Sequence, residues 1–211
     1  MAKTEHPYIL GITGTISSGK SLVGKLLAER NVPVFDSDSI VHDLLSLATP
    51  TRKAVVERFG ENIVDPERNG AIDRVRLGKV VFSDATARKD LEAIVHPAVI
   101  KETRRRINEL PENSIAAVLA PLLFEAGLQN EYNEIWAVTT DLETLKQRLR
   151  QRDNLSDSEV EKRLAAQWSQ EKKASLSDAV IDNSGTPRNT AQQVDLLLEK
   201  IKHKLELERV Q

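Results

Sequence analysis

Apolar runs of strand length alternate along this chain with stretches in which apolar residues recur at helical spacing. Each run is short, rich in aliphatic residues, and followed by polar or turn-forming residues. Such alternation is typical of an α/β fold, in which a mostly parallel sheet carries helices on both faces. The pattern predicts five strands, at Ile9–Thr13, Pro33–Asp36, Ile115–Ala120, Ile135–Thr139 and Val180–Asp182.

A long helix-rich stretch separates the second predicted strand from the third, and it contains no obvious strand. Helix-start signals and prolines divide it, and residues 65–70 have the composition of a turn. We interpret residues 39–110 as a helical substrate-binding insert. Its predicted helices are Ser39–Ala48, Arg52–Phe59, Arg74–Phe82, Ala85–Val95 and Pro97–Leu110.

A second unusual segment runs from Glu143 to Lys173 and combines helical periodicity with few apolar residues. It should therefore pack weakly and be able to move. Charged helices of this kind are usually solvated surface. A triphosphate site, however, needs cations above the transferring group, and an arginine-bearing lid supplies them while excluding water. We interpret residues 143–176 as a mobile lid, which leaves a core of residues 1–38, 111–142 and 177–211.

Composition narrows the range of partners. The 211 residues are 40% hydrophobic, without an apolar run of membrane-spanning length and without cysteine, as expected for one α/β domain with insertions. A formal charge of −2 and a pI near 6.1 give no overall cationic field for nucleic acid. We expect a cytoplasmic protein whose partners are small molecules, with neither a membrane nor nucleic acid among them. Composition leaves the oligomeric state open between a monomer and a small homo-oligomer.

The strongest chemical signal is the segment from Gly14 to Ser21, which fits the phosphate-loop pattern G-x-x-x-x-G-K-[ST]. It lies between the first predicted strand and a helix-like stretch. A strand that feeds a loop opening a helix aims backbone N–H groups and the positive end of the helix at an anion. Lys20 can then reach the β- and γ-phosphates, and the Ser21 hydroxyl can bind Mg²⁺. The sequence predicts a site for a nucleoside triphosphate with Mg²⁺.

Two carboxylates, Asp36 and Asp38, directly follow the second predicted strand. In a parallel sheet they emerge at the same edge as the phosphate loop, where ligands bind. Phosphoryl transfer to an alcohol needs a group that accepts the hydroxyl proton and a group that holds Mg²⁺, and Asp serves both purposes. One of the two could instead cap the helix that begins near Ser39, since Asp is a preferred N-cap.

Several segments resemble the dephospho-CoA kinase family in their order along nearly the whole chain. Besides Gly11–Ser21 they are Asp36–His42, Leu91–Pro97, Pro121–Glu125, Gln151–Asp153 and Val180–Gly185. The resemblance implies a P-loop kinase fold with a nucleotide-binding core, a helical CoA-binding insert and a lid. It also implies the reaction: transfer of the γ-phosphate of ATP to the ribose 3′-hydroxyl of dephospho-CoA, giving CoA and ADP in the last step of coenzyme A synthesis.

The resemblance assigns roles to matching positions. It implies that Lys20, Asp38 and Arg148 are catalytic, with Asp38 as the general base, and that Ser21 and Asp38 hold Mg²⁺. It implies acceptor contacts at Thr13, Asp36 and His96. The residues that it places against ATP are Gly14, Thr15, Ile16, Ser17, Ser18, Gly19, Lys20, Ser21, Leu22, Arg152 and Asn183.

Several of these positions have a plainer explanation. His96 precedes Pro97, and such a residue often only marks a helix boundary. Asn183 begins an Asn-Ser-Gly sequence that a simple turn explains equally well. The Pro121–Glu125 motif leaves Glu125 either structural or near the acceptor, and Trp168 is interpreted as packing.

The phosphate loop departs from the family's usual sequence at three positions. Thr15 and Ser17 stand where glycines are usual, and Leu22 stands in place of threonine. Hydroxyl side chains need not block the loop backbone, provided that both residues keep φ below zero. The departures bear on nucleotide affinity rather than on the class of reaction.

Two other classes share a phosphate loop. A guanine-nucleotide switch usually carries an Asn-Lys-x-Asp element, and this sequence has no Asn-Lys pair. A motor ATPase typically ends an apolar strand in an acidic pair, whereas the strand here runs into Pro121. A kinase for another small hydroxyl acceptor, such as a nucleotide or a shikimate-like acid, shares the loop and lid but not the long insert. The insert favours dephospho-CoA as the acceptor.

Overall fold

The protein is known from a computed structural model, which describes residues 7–46, 48–68 and 70–210. Its strands are short and mostly buried. In chain order they are β1 (Tyr8–Thr13), β2 (Val34–Asp36), β3 (Val64–Asp65), β4 (Ala71–Ile72), β5 (Ile115–Leu119), β6 (Glu134–Thr139) and β7 (Ala179–Asp182).

The helices fill the intervals between these strands. In chain order they are α1 (Lys20–Glu29), α2 (Ser37–Ser46), α3 (Pro50–Phe59), α4 (Arg74–Ser83), α5 (Ala85–Asn108), α6 (Leu142–Asp153), α7 (Asp157–Ala165), α8 (Gln170–Ser175) and α9 (Pro187–Val210). No helix among the described residues is long and apolar enough to cross a membrane.

The main sheet has five strands in the order β2-β5-β1-β6-β7. The pairs β1–β5, β1–β6 and β6–β7 are parallel, and Leu10, for example, lies between Ala117 and Glu134. Each strand of this sheet lies within one residue of its predicted limits. The prediction of a mostly parallel five-stranded sheet flanked by helices is confirmed. The strands could be found from the sequence because buried parallel strands appear in it as continuous apolar runs.

The chain forms two compact units. The first extends to Phe35, resumes at Leu110 and holds the main sheet, whereas Asp36–Glu109 form the second. The first unit packs α1 and α9 against the sheet, and Leu27, Val194 and Leu198 are buried there with Leu10 and Ile12. This packing fixes the helix that follows the phosphate loop.

The second unit is helical and has its own apolar core. Leu45, Val55, Ile63, Leu77 and Val95 are buried together in it. Three of its helices begin at side-chain caps. The unit can therefore satisfy both its apolar surface and its helix ends from its own residues.

The division of α5 into two helices was wrong. One helix runs from Ala85 to Asn108 with Pro97 inside it. Proline removes one hydrogen bond of the helix interior and is costly there. Val95 is buried in the core of the second unit and Val99 packs against it, while Pro97 faces solvent. Packing on both sides of the proline keeps the helix continuous.

A short antiparallel hairpin was also missed. Val64–Asp65 pair with Ala71–Ile72 in the stretch for which no strand was predicted. Strands of two residues are too short for a period to show. The predicted turn at 65–70 connects them, although its Asn69 lies outside the described residues, as does Leu47 in the predicted helix Ser39–Ala48.

The expectation that the segment from Glu143 to Lys173 packs weakly was wrong. Leu145 and Leu149 of α6 and Val160 of α7 are buried, and so is Lys173 of α8. The few apolar side chains of this segment lie on one face of their helices and are sufficient to pack it. Its last helix is additionally held by a buried ion pair, described below.

Candidate active site

The loop between β1 and α1 has the conformation of a phosphate-binding loop. Gly14 has φ of 151° and Gly19 has φ of 109°, a region that residues with a Cβ rarely adopt. A Cβ at Gly14 would also lie 2.5 Å from the Val138 carbonyl oxygen, and one at Gly19 would lie 1.9 Å from Asn183 Nδ2. Both glycines are therefore required for the loop to turn back tightly against β6 and Asn183.

Ser17 does not meet the condition set for it by the sequence. Its φ is 64°, whereas Thr15 keeps φ below zero. A left-handed conformation costs a residue with a Cβ about 1–2 kcal/mol. The serine thus occupies a position suited to glycine, and the loop holds it there under backbone strain.

Helix α1 begins without a side-chain cap. Its N-cap residue is Gly19, and its first turn contains no acidic residue. The first N–H groups of a helix have no partner within the helix and carry its positive end. An anion that approaches the start of α1 therefore meets unneutralised donors.

The Lys20 ammonium turns back over the beginning of the loop. Its Nζ donates to the carbonyl oxygens of Gly14 and Thr15, each at 2.9 Å. The lysine of such a loop contacts the β- and γ-phosphates. The Gly14–Thr15 end of the loop is therefore the end at which a bound triphosphate would react.

Three hydroxyls of the loop are buried and unpaired. Thr15 Oγ1, Ser17 Oγ and Ser18 Oγ have no hydrogen-bond partner among the described residues. A buried polar group without a partner costs about 1–3 kcal/mol. The loop therefore carries donors in excess of what its own fold uses.

Asn183 holds the loop in place from the far side. Its Nδ2 donates to the Ser18 carbonyl at 2.8 Å, and its Oδ1 accepts from Thr190 Oγ1 of α9 at 2.9 Å. The side chain is buried. It therefore acts as a strut between the loop and α9, and its predicted contact with adenine stays a prediction.

The two lid arginines have different partners. Arg148 Nη2 donates to the Asn183 carbonyl oxygen at 3.4 Å. Asn183 in turn holds the phosphate loop at Ser18, so the Arg148 side chain reaches the residue that supports this loop. Arg152 instead forms a two-pronged pair with the adjacent Asp153, and this hydrogen bonding raises the pKa of Arg152 and lowers that of Asp153. The roles implied for them, Arg148 in catalysis and Arg152 against ATP, stay predictions.

The remaining loop residues are placed as follows. Ser21 is exposed at the start of α1, where its hydroxyl can reach a bound ion. Leu22 donates its N–H to the Gly19 carbonyl oxygen, and its side chain packs against the core, so the side chain has a structural role. Thr13 is buried, and its Oγ1 donates to the Pro121 carbonyl at 3.3 Å.

Asp36, Asp38 and His96 belong to the second unit. Asp36 Oδ1 accepts from the N–H of Asp38 at 2.8 Å and of Ser39 at 3.4 Å, so Asp36 caps α2. Asp38 lies in the first turn of that helix. The capping alternative therefore applies to Asp36. His96 is half-buried within α5 rather than at a helix boundary.

No motif or period in the sequence predicts the buried ion pair beside the phosphate loop. Lys173 of α8 is fully buried, and its Nζ lies 2.8 Å from Glu125 Oε1 and 2.5 Å from the Pro121 carbonyl oxygen. Burial lowers the pKa of Lys173 despite its partner. The other carboxylate oxygen of Glu125 is buried without a partner among the described residues. Glu125 is thus at least structural, because it anchors α8.

Aromatic packing completes this anchor. Trp168 donates its backbone N–H to Glu125 Oε1 at 2.9 Å and stacks on Phe124 with the ring centroids 6.5 Å apart. The expected packing role of Trp168 is confirmed. Lys173 was hidden in a charge run, Glu171-Lys172-Lys173, that resembles a solvated helix face.

The residues suited to Mg²⁺ are few. No group of three or more His, Cys, Asp or Glu side chains in the described part of the chain could hold a metal. Mg²⁺ at phosphate sites is usually bound by one or two protein oxygens, with waters and substrate phosphates completing the shell. The Ser21 hydroxyl and a carboxylate such as that of Asp38 fit this chemistry.

A phosphate loop that leaves the first strand of a five-stranded parallel sheet for an uncapped helix, together with arginines on a following helix pair, defines a P-loop kinase. A shikimate kinase from Aquifex aeolicus, 18% identical with a TM-score of 0.52 over 90% of this chain and 96% of its own, shares the fold. The family model for dephospho-CoA kinase matches residues 8–189. The chain belongs to the dephospho-CoA kinase family.

Individual relatives agree with this assignment. A dephospho-CoA kinase from Symbiobacterium thermophilum is 43% identical over 89% of this chain and 78% of its own length. One from Geobacter sulfurreducens is 42% identical over 89% and 95%. Among solved structures, TT1252 from Thermus thermophilus is 32% identical with a TM-score of 0.79, covering 92% of this chain and 98% of its own. The chain is a kinase of the small-molecule type, and the switch and motor classes are excluded.

Proposed function

We propose that this enzyme transfers the γ-phosphate of ATP to the ribose 3′-hydroxyl of dephospho-CoA, giving CoA and ADP in the last step of coenzyme A synthesis. The observation that carries the proposal is the uncapped start of α1 beneath Lys20, in a chain that belongs to this family. The need for ATP supports the cytoplasm as the compartment.

The phosphate loop and Lys20 bind the triphosphate. Backbone N–H groups at the start of α1 face the β-phosphate, and the Lys20 ammonium neutralises charge on the β- and γ-phosphates. Phosphoryl transfer depends chiefly on positioning and electrostatic stabilisation. Arg148 and Arg152 of the lid add cations over the same group and exclude water.

Asp38 acts as the general base. The 3′-oxygen forms a bond to the γ-phosphorus as the bond from that phosphorus to the β,γ-bridging oxygen breaks. The hydroxyl proton passes to the Asp38 carboxylate, and ADP leaves with the bridging oxygen. Asp36 supports this arrangement by capping α2, which fixes the backbone of Asp38. Thr13, Asp36 and His96 are the proposed acceptor contacts.

Mg²⁺ is the expected cofactor. Its candidate ligands are the Ser21 hydroxyl and the Asp38 carboxylate, and it would neutralise the charge that develops on the β- and γ-phosphate oxygens. The Asp38 carboxylate therefore has two proposed roles, as the general base and as a ligand of Mg²⁺. Asn183 would contact adenine through its backbone, since its side chain is held by Ser18 and Thr190.

The test is incubation of the purified protein with ATP, Mg²⁺ and dephospho-CoA. Adenosine and a nucleoside monophosphate are offered as competing acceptors. We expect rapid ADP and CoA formation with dephospho-CoA alone. Equal or faster turnover with another acceptor would reassign the substrate while keeping the class of reaction.

The assignment of the two aspartates is tested by two amide variants. Asp38→Asn keeps the shape of the side chain but cannot accept the proton, so it should lower kcat far more than it weakens ATP binding. Asp36→Asn keeps an N-cap acceptor, since Asn caps helices as well as Asp, and should be nearly neutral. A larger kcat loss in Asp36→Asn would exchange the two roles.

A further inference from the structure

A glutamine between α7 and α8 reaches the phosphate loop. Gln167 Oε1 accepts a hydrogen bond from the Ile16 N–H at 3.0 Å, although 151 positions separate the two residues. An N–H donor can be met only by the oxygen of a side-chain amide. The bond therefore fixes which way the Gln167 amide faces, and its Nε2 lies beside the loop.

Two other glutamines of the same unit show what an ordinary structural amide does. Gln170 accepts from the Thr140 N–H at 2.9 Å and returns a bond to the Thr140 carbonyl at 2.8 Å. Gln193 makes the same two-way pair with Asp182. Gln167 accepts in the same manner, yet its Nε2 makes no hydrogen bond to any residue that the structure describes. The Nε2 donor of Gln167 is therefore available to a ligand.

The Nε2 donor of Gln167 lies near the Gly14–Thr15 end of the phosphate loop. Ile16 follows Gly14 and Thr15, whose carbonyls hold the Lys20 ammonium. That ammonium marks where the β- and γ-phosphates bind. A donor next to Ile16 is thus closer to the γ-phosphate than to the adenosine.

The segment that carries Gln167 is held firmly. The neighbouring Trp168 N–H is bound to Glu125, and the buried Lys173 ties α8 to Glu125 and to the Pro121 carbonyl. Catalytic donors are effective when their position is fixed before the reaction begins. Gln167 meets this requirement.

We propose that Gln167 donates from Nε2 to an oxygen of the γ-phosphate and is a further catalytic residue of this kinase. The inference rests on the proposed function, which supplies the ATP. As charge spreads over the equatorial oxygens of the transferring group, a fixed donor stabilises it. A neutral amide adds this stabilisation without repelling Lys20 or the lid arginines.

Two variants separate this role from a structural one. Gln167→Ala removes both amide atoms, whereas Gln167→Glu keeps an acceptor for Ile16 but replaces the donor with a second anionic oxygen. Loss of a hydrogen bond to a charged group changes a rate or binding constant by roughly tenfold to hundredfold. We expect kcat to fall by that factor in Gln167→Ala and further in Gln167→Glu, with the thermal midpoint of Gln167→Glu near that of wild type. A merely structural strut predicts the reverse order of kcat, with Gln167→Glu close to wild type.

Gln193→Glu is the matched control. It makes the same chemical change in an amide whose donor is used by the backbone carbonyls of Asp182 and Asn189. We expect this variant to lose thermal stability and to keep the wild-type kcat. It shows what loss of a structural amide donor does by itself.

A binding measurement tests the contact without turnover. Calorimetric titrations of wild type and Gln167→Ala use ADP and an ATP analogue with a β,γ-imido bridge. The analogue should bind Gln167→Ala roughly tenfold more weakly, with ADP affinity unchanged. Equal loss for both nucleotides, or no loss, overturns the proposal. Wild type that binds the analogue but leaves dephospho-CoA unmodified would overturn the proposed function alone.

Discussion

The start of α1 and the starts of the helices in the second unit are built in opposite ways. Thr49, Asp73 and Asp84 each accept backbone N–H groups at the beginning of α3, α4 and α5. Gly19 at the start of α1 has no side chain with which to do so. Side chains of the second unit bind the first N–H groups of its own helices, whereas the first N–H groups of α1 have no side-chain cap and can bind an anion. Changes at the former should act on stability, and changes at the latter on function.

The two regions also differ in where their charges lie. Some ion pairs of the second unit, such as Lys53–Glu57, are largely exposed, and exposed pairs contribute only about 0–1 kcal/mol each. Beside the phosphate loop, Lys173 and Glu125 form a pair whose lysine is fully buried. There the same chemistry costs desolvation, so loss of one partner is far more damaging.

The largest effect is expected for Lys20→Ala. It deletes the charge that faces the transferring phosphate, so kcat should fall on the order of 10²–10³-fold or more. The fold should persist, because the Lys20 ammonium donates to the carbonyls of the phosphate loop itself, Gly14 and Thr15, and lies outside the apolar core. The measurement is steady-state kinetics together with a thermal melt. More than a tenth of wild-type kcat would contradict this role.

Asp84→Ala is the counterpart in the second unit. It removes the cap of α5, which accepts from Thr86 and Ala87, and should lower the free energy of unfolding by about 1 kcal/mol. Its kcat should equal that of wild type. A large kcat loss here would break the contrast between the two kinds of helix start.

Lys173→Met should be the most destabilising exchange. It leaves the Glu125 carboxylate buried without its cation, and breaking a buried pair costs about 3–5 kcal/mol. Urea unfolding measures the loss. Lys202→Met, which removes a half-exposed partner of Glu199, should cost less than about 1 kcal/mol. Adding Glu125→Gln to Lys173→Met should restore part of the stability, and failure to do so would argue against the pair as the cause.

Arg148→Lys should fail to support normal turnover although it conserves charge. Arginine binds two phosphate oxygens through its fixed fork, whereas lysine offers a point charge. We expect kcat to fall roughly tenfold or more, the loss of a charge-assisted bond. Arg150→Lys, in which the side chain pairs with Asp157, is the control and should be silent. Equal, near-normal rates in both would mean that Arg148 contributes nothing specific to turnover.

Ser17→Gly should stabilise the enzyme slightly. Glycine adopts φ of 64° without a steric penalty, at the cost of greater freedom in the unfolded chain. The net gain should be roughly 0.5–1 kcal/mol, seen as a higher midpoint of thermal unfolding. A lower midpoint would mean that the buried Ser17 hydroxyl contributes more than the strain removes.

The smallest effect concerns pH. Hydrogen bonds from Arg105 and Arg106 hold the pKa of Glu102 in α5 at about 2, below its ordinary 4.5. A lowered pKa in the folded state contributes stability above the ordinary pKa, and this contribution disappears as pH falls from about 4.5 towards 2. The stability difference between wild type and Glu102→Gln, from urea unfolding at several pH values, should shrink over that range. A constant difference would mean that packing alone is responsible.

The sequence predicted the main sheet because its strands are continuous apolar runs, and the phosphate loop because its residues are contiguous. Pro97 misled the helix prediction, since a local rule about proline was outweighed by apolar packing on both sides. Gln167 and Lys173 could not be found in the same way. Their contacts join positions 151 and 52 residues apart, and neither contact leaves a period or a motif in the chain.

The order of strands has a consequence for how the chain can vary. The backbone leaves the main sheet after β2 and re-enters it in β5, the strand that lies next to β2. The segment between β2 and β5 therefore forms a loop whose two ends lie side by side in the sheet. The entropy of closing such a loop grows only with the logarithm of its length. A change in the length of this segment therefore costs little entropy and leaves the strand order of the sheet unchanged, so the connection from β2 to β5 is a place where the chain can tolerate insertions.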